Sequence, residues 1–150
     1  MSPQKITVNT IISAPLERVW QAHTTSAEIT QWNFASDDWC CPSAAVDLQV
    51  GGKYQARMEA KDASFGFDLE ATYSEVEPNQ ALTMVMTDGR QARTTFEAID
   101  AHRTQVSTIF DPEQQNSIAM QRAGWQAILD NFKDYLETNG QTQNATAGKT

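Results

Sequence analysis

The stretch from Asp111 to Asn139, DPEQQNSIAMQRAGWQAILDNFKDYLETN, most constrains what this chain can fold into. Ile118, Trp125, Leu129, Phe132 and Leu136 recur at spacings of three, four or seven, which is one face of a helix. Asp111 is placed to cap the first turn, Pro112 suits the first helical position, and Asn139-Gly140 supplies a stop. About 25 residues rising ~1.5 Å each make a rod of roughly 37 Å, long enough to cross a small domain. A rod with one apolar stripe needs a surface to lie on, and the remaining chain must provide it.

That surface reads as a succession of strands. ITVNTIIS at positions 6–13 alternates and predicts a first strand. Pro15 then opens a helix carrying Leu16, Val19, Trp20 and His23, and a second short helix starts near Ser26 with Ile29 and Trp32 inward. Asn33 to Ala45 shows no clean period and reads as a long loop, a candidate lid over a cavity. From Val46 onward strand follows strand. Tyr54, Ala56 and Met58 share one face; Phe65, Phe67, Leu69, Ala71 and Tyr73 alternate strictly; Leu82, Met84 and Met86 alternate again. Gly51-Gly52, Glu77-Pro78-Asn79 and Asp88-Gly89 are turn signals, and two strands, 92–99 and 106–110, complete the series. No crossover helix separates them, so the sheet is an antiparallel meander. The expected fold class is α+β: a curved antiparallel sheet wrapped around a long C-terminal helix, with two short helices after the first strand. One domain covers 1–140, and the small polar tail 141–150 is expected to be disordered.

Bulk properties exclude several functions. The net charge of −8 is wrong for gripping a nucleic-acid backbone or an anionic membrane by charge alone. Cys40 and Cys41 are adjacent, a strained geometry for a mutual bridge, and read as free thiols of a reducing compartment. The N-terminus lacks the apolar core of a signal peptide and no run reaches transmembrane length, so a cytoplasmic protein without membrane insertion is expected. The two histidines and two cysteines lack zinc-site spacing, and neither a nucleophile elbow nor a phosphate-gripping loop is present. No catalytic residue, metal or cofactor is assigned.

Ile12-Ser13-Ala14-Pro15 with Val19-Trp20 resembles the opening of the SRPBCC superfamily, which includes the START-like and birch-pollen-allergen-like folds. Trp32 after the second helix, Asp47-Leu48-Gln49-Val50-Gly51-Gly52 entering a strand, and Gly124-Trp125 in the terminal helix narrow the likeness to the family named after the activator of Hsp-ninety ATPase. The likeness covers roughly Lys5 to Thr138. It implies a helix-grip fold in which the gap between sheet and helix forms a ligand cavity. Gln49 stands where the family has Arg, and His23 where an apolar residue is usual.

The methionines and aromatics suit the walls of such a cavity. Expected ligand contacts are Trp32, Phe34, Tyr54, Met58, Phe67, Met84, Phe96, Met120 and Trp125, and the expected partner is a small hydrophobic or aromatic molecule. Gly124 in mid-helix would suit a close backbone approach to a strand or a ligand. Two alternatives stay open: a cyclase- or hydrolase-like enzyme using His23, Arg93 or a lid residue in the same cavity, and a protein-interaction or chaperone-associated module. A homodimer is compatible with a domain of this size.

Overall fold

The computed structural model describes residues 5–34, 38–113 and 116–149, with side chains through Thr138. The elements run β1 (Ile6–Ile12), α1 (Leu16–Thr24), α2 (Ser26–Trp32), β2 (Trp39–Val46), β3 (Lys53–Ala60), β4 (Gly66–Glu77), β5 (Ala81–Met86), β6 (Gln91–Asp100), β7 (Arg103–Phe110) and α3 (Ile118–Lys149). All seven strands form one antiparallel sheet in the order β1-β7-β6-β5-β4-β3-β2. The last six strands are the expected meander, and β1 closes onto β7. The helices cover one face. Among the described residues, no helix is long and apolar enough to cross a membrane.

Register fixes which side chains face the helices, because directly paired residues of antiparallel strands share a face. One inward row runs Tyr73, Met84, Ala92, Phe110, Ile6 across β4, β5, β6, β7 and β1. The next runs Val46, Tyr54, Ala71, Met86 across β2 to β5. The strands that sit under the helices contribute Ile6, Val8, Ile12, Val106 and Phe110, each no more than 2 % exposed. Val19, Ile29, Phe132 and Leu136 meet them from above and are as deeply buried. Three inward hydroxyls in this layer are satisfied locally: Thr94 and Thr108 bond each other at 2.9 Å, and Thr104 donates to the Ala14 carbonyl at 2.8 Å.

α3 is fastened along both flanks. On one side Gln126 donates to the Asn9 carbonyl, Lys133 to the Ile11 carbonyl, and Glu137 accepts from the Ser13 amide. On the other, Tyr135 donates to Glu28, which also pairs with Arg18 at 2.6 Å, so one carboxylate joins α1, α2 and α3.

Three expectations change. The stretch expected as a lid is largely β2, an edge strand on β3 whose register slips between Cys40 and Ser43. Pro42 falls in that slip, where no ladder partner is needed, and the bulge erases the alternation that would have marked a strand. What remains of the loop includes positions 35–37, which lie outside the described residues. α3 begins at Ile118 and not at Pro112. Its cap is Ser117, whose hydroxyl accepts the Met120 amide at 3.1 Å. The Asp111 carboxylate is engaged elsewhere, by the Gln91 amide at 2.9 Å and by Lys5. At its other end α3 continues past the expected stop at Asn139-Gly140 to Lys149; side chains from 139 onward lie outside the described residues.

Candidate functional site

Among the described residues α3 lies against β1 and touches α2, with no comparable packing on β3, β4 or β5. On the inward face of those three strands Tyr54, Met58, Tyr73 and Leu82 are buried, whereas Leu69, Met84 and Met86 are only partly covered. Leu69, Met84 and Met86 from the sheet, Phe34 after α2, and Trp125 and Ile128 from α3 are all half-buried against the edge of the core. Between them the sheet carries the small, buried Ala56, Ala71 and Ala92. Met120, Gly124, Ile128 and Asn131 recur at three- and four-residue spacing and so form the flank of α3 nearest this opening. Asn131 ties that flank down by donating to the Trp32 carbonyl at 2.9 Å and the Phe34 carbonyl at 3.4 Å.

Gly124 faces space. A Cβ built on it meets no heavy atom within 4 Å. The close approach to a strand that a mid-helix glycine suggested is absent. One turn earlier, a recess of about 150 Å³ is lined by Arg90, Glu113, Asn116, Met120, Gln121 and Trp125. Gln121 holds its rim, donating to the Glu113 and Asn116 carbonyls at 3.1 and 2.8 Å and accepting the Glu113 amide at 2.8 Å.

The expected contact residues fall into three places. Phe34, Tyr54, Met58, Met84 and Trp125 border or underlie the half-covered face, with Tyr54 and Met58 buried and Trp125 stacked on Phe110 at 4.0 Å. Trp32 and Phe96 are buried beside His23. Phe67 and Met120 are exposed, at 43 % and 63 %. Phe67 faces inward by register, opposite Met58, but sits where the β3–β4 hairpin projects beyond the helices. There it forms a cluster with Trp39 and Phe65, ring centroids 5.9–6.2 Å apart.

His23 is enclosed by rings. Trp32, Phe96 and Phe132 lie with centroids 5.3–5.4 Å from the imidazole. Its Nδ1 is sealed from solvent without a hydrogen-bond partner. Burial disfavours the imidazolium and lowers the pKa to about 4. Arg93, the other polar candidate, points to the outer face, where its guanidinium donates twice to Glu75 at 2.9 and 3.3 Å. Glu75 in turn accepts from Thr83 at 2.8 Å.

A polar group absent from the expected set sits deep under the half-covered face. Asn33, 6 % exposed at the end of α2, donates to the Tyr54 hydroxyl at 3.1 Å. The buried Cys41 thiol lies alongside and donates to the Ser43 carbonyl at 3.5 Å; burial raises its pKa, so it stays a thiol. Twenty-one positions separate Asn33 from Tyr54, and no spacing rule connects a helix terminus to a strand so distant in sequence.

A family model described as Activator of Hsp90 ATPase homolog 1-like protein matches residues 13–137. The chain belongs to that family. Among solved structures it is similar to the AHSA1-like protein from Aeromonas hydrophila, at 42 % identity and a TM-score of 0.85, over 91 % of this chain and 94 % of that one. A protein from Cytophaga hutchinsonii is 39 % identical with a TM-score of 0.77, over the same shares. A protein from Chromobacterium violaceum shares the fold at 20 % identity, with a TM-score of 0.78 over 90 % and 99 % of the two chains. No curated protein matches.

The turn between β2 and β3 gives a physical reason for the Gly-Gly of this AHSA1-like chain. A Cβ on Gly52 would collide with the Asp47 carbonyl oxygen, and Gly51 holds φ +85°. The turn also clamps β4, since the Gly51 amide donates to the Tyr73 carbonyl at 2.7 Å and the Tyr73 amide to the Gly52 carbonyl at 2.9 Å. Gln49, in place of the more usual Arg, closes the turn on itself by donating to Asp47 at 3.1 Å.

Proposed function

We propose that this AHSA1-like protein binds a small hydrophobic or aromatic molecule between α3 and the β3–β5 half of the sheet. The observation that carries the reading is the mismatch of cover: Phe34, Leu69, Met84, Met86, Trp125 and Ile128 stay only part-buried at the edge of the core, and a Cβ on Gly124 would meet no atom within 4 Å. Thioether side chains change rotamer readily, so Met58, Met84 and Met86 can fill the gap when the site is empty and withdraw for a ligand. Members of this superfamily typically bind small molecules, and the free cysteines fit a cytoplasmic setting. The outward ion pair of Arg93 and the sealed Nδ1 of His23 favour binding over acid–base chemistry among the described residues. The exposed Trp39–Phe65–Phe67 cluster favours a second reading, a protein-interaction surface, which includes a homodimer.

Native mass spectrometry of freshly purified protein, followed by melting curves with a panel of apolar compounds, tests the reading. A ligand present at a hundred times its dissociation constant adds about 2.7 kcal/mol, readily seen as a higher Tm. Gly124→Leu fills the space beside the helix without an intrinsic helix penalty, and is expected to keep the fold and lose the ligand. Bare protein with an unmoved Tm across the panel would shift the assignment to the interaction surface.

A further inference from the structure

The recess at the start of α3 holds two opposite charges that do not meet. Arg90, on the β5–β6 hairpin, and Glu113, between β7 and α3, both line it. Among the described residues they form no ion pair with each other, and each is held by a neighbour of its own. The Arg90 Nε donates to Asp88 at 2.6 Å, and the same carboxylate accepts the Arg90 amide at 3.1 Å. One oxygen of Glu113 accepts from the Asn116 side chain. The buried Gln121 fixes the backbone around them through the Glu113 amide and the Glu113 and Asn116 carbonyls. No described residue bonds the two Nη groups of Arg90 or the second oxygen of Glu113. The apolar walls are Met120, which is exposed, and the part of the Trp125 indole left uncovered by its stack on Phe110.

We infer that this recess binds a small zwitterion, a free amino acid whose carboxylate takes the Nη groups of Arg90 and whose ammonium takes Glu113. The site is independent of the apolar one above. Charge balance decides the class. Asp88 is bonded to Arg90, and Asp111, whose pKa is lowered chiefly by Lys5 and in part by Arg90, stands near. A lone anion at Arg90 would therefore meet three carboxylates, and a lone cation at Glu113 would meet the guanidinium. A molecule carrying both charges satisfies each end. The Arg90 end is geometrically suited, because a planar guanidinium matches a carboxylate through two parallel bonds. Size agrees. About 150 Å³ is room for about five waters at ~30 Å³ each, the bulk of a short amino acid. Its methylenes would lie against Met120 and Trp125.

The test follows the Met120 methyl and the Trp125 indole N–H by NMR while glycine, β-alanine and 4-aminobutyrate are titrated in, each in turn. Propionate and propylamine, which carry one charge each, are the controls. The expected result is saturable movement of both signals with at least one of the three amino acids, at least about tenfold tighter than with either control. Arg90→Gln and Glu113→Gln are each expected to remove that advantage. The comparison with the controls on the wild-type protein stands whether or not either variant folds. Propionate or propylamine binding as tightly as the amino acids would overturn the zwitterion, as would an advantage that survives in both variants. No saturable movement with any of the three amino acids would overturn the site itself.

Discussion

The two halves of the inner face are built on one sheet with one alternation, yet they are finished differently. Under the helices, β1, β6 and β7 present Ile6, Val8, Ile12, Phe96, Val106 and Phe110, met by Phe132 and Leu136, and almost no surface is left. Over β3 to β5 the inward set adds Leu69, Met84 and Met86, only part-buried, to the buried Tyr54, Met58, Tyr73 and Leu82, and α3 has no comparable packing on these strands among the described residues. β-branched and aromatic side chains have few rotamers and interlock into a fixed core. Methionines have many, and a surface made of them can close on itself or open. The first half holds the fold together; the second is free to respond to something bound.

That division sets the order of mutational effects. Phe132→Ala removes a fully buried ring from the covered half and is expected to cost about 3–5 kcal/mol, whereas Met84→Ala in the half-covered region is expected to cost about 1–2 kcal/mol. Urea melts of the two variants measure the gap, and equal losses would break the distinction between the halves.

His23 sits at the boundary and makes the covered half pH-sensitive. Its pKa is about 4 when folded and 6.5 when exposed, so on acidification the unfolded chain takes up a proton that the folded chain refuses. Stability is therefore full above pH 6.5 and falls as pH drops from 6.5 towards 4, by about 2 kcal/mol at pH 4.5 at ~1.4 kcal/mol per pKa unit, allowing for partial exposure of the residue. His23→Leu is expected to flatten that part of a pH series of denaturant melts; an unchanged slope would mean the carboxylates alone produce it.

The smallest effect sharpens the comparison from the helix side. Because the space beside Gly124 is open, Gly124→Ala should stabilise the empty protein by about 0.8 kcal/mol, the propensity difference alone. A loss in place of a gain would mean that the helix packs there after all.

Much of this was legible in the residues. Period-two alternation placed Tyr54, Met58, Phe67 and Met84 on the inward face, and the period of the terminal helix placed Trp125, Leu129, Phe132 and Leu136 on its buried side. Alternation assigns a face but not a depth, which is why Phe67 shares the face of Met58 and still projects past the helices into solvent. β2 was hidden because Cys40-Cys41-Pro42 bulges and breaks the alternation. The start of α3 was misplaced because Asp111-Pro112 has the chemistry of a cap, while the Asp111 carboxylate is claimed by partners twenty and more positions away. The open space at Gly124 and the Asn33–Tyr54 pair depend on how elements diverge or meet in three dimensions, and no local pattern carries either.

The most direct test is to follow the methionine methyl signals of the protein, labelled with ¹³C at those methyls, while the apolar compound that raises the Tm most is titrated in. Five methionines give five resonances, assigned by single substitutions to leucine. The expected result is saturable movement of the Met58, Met84 and Met86 methyls, the signature of a ligand entering the half-covered face. Saturable movement that spares these three methyls, or none at all up to the solubility of the compound, would contradict a ligand site between α3 and strands β3 to β5.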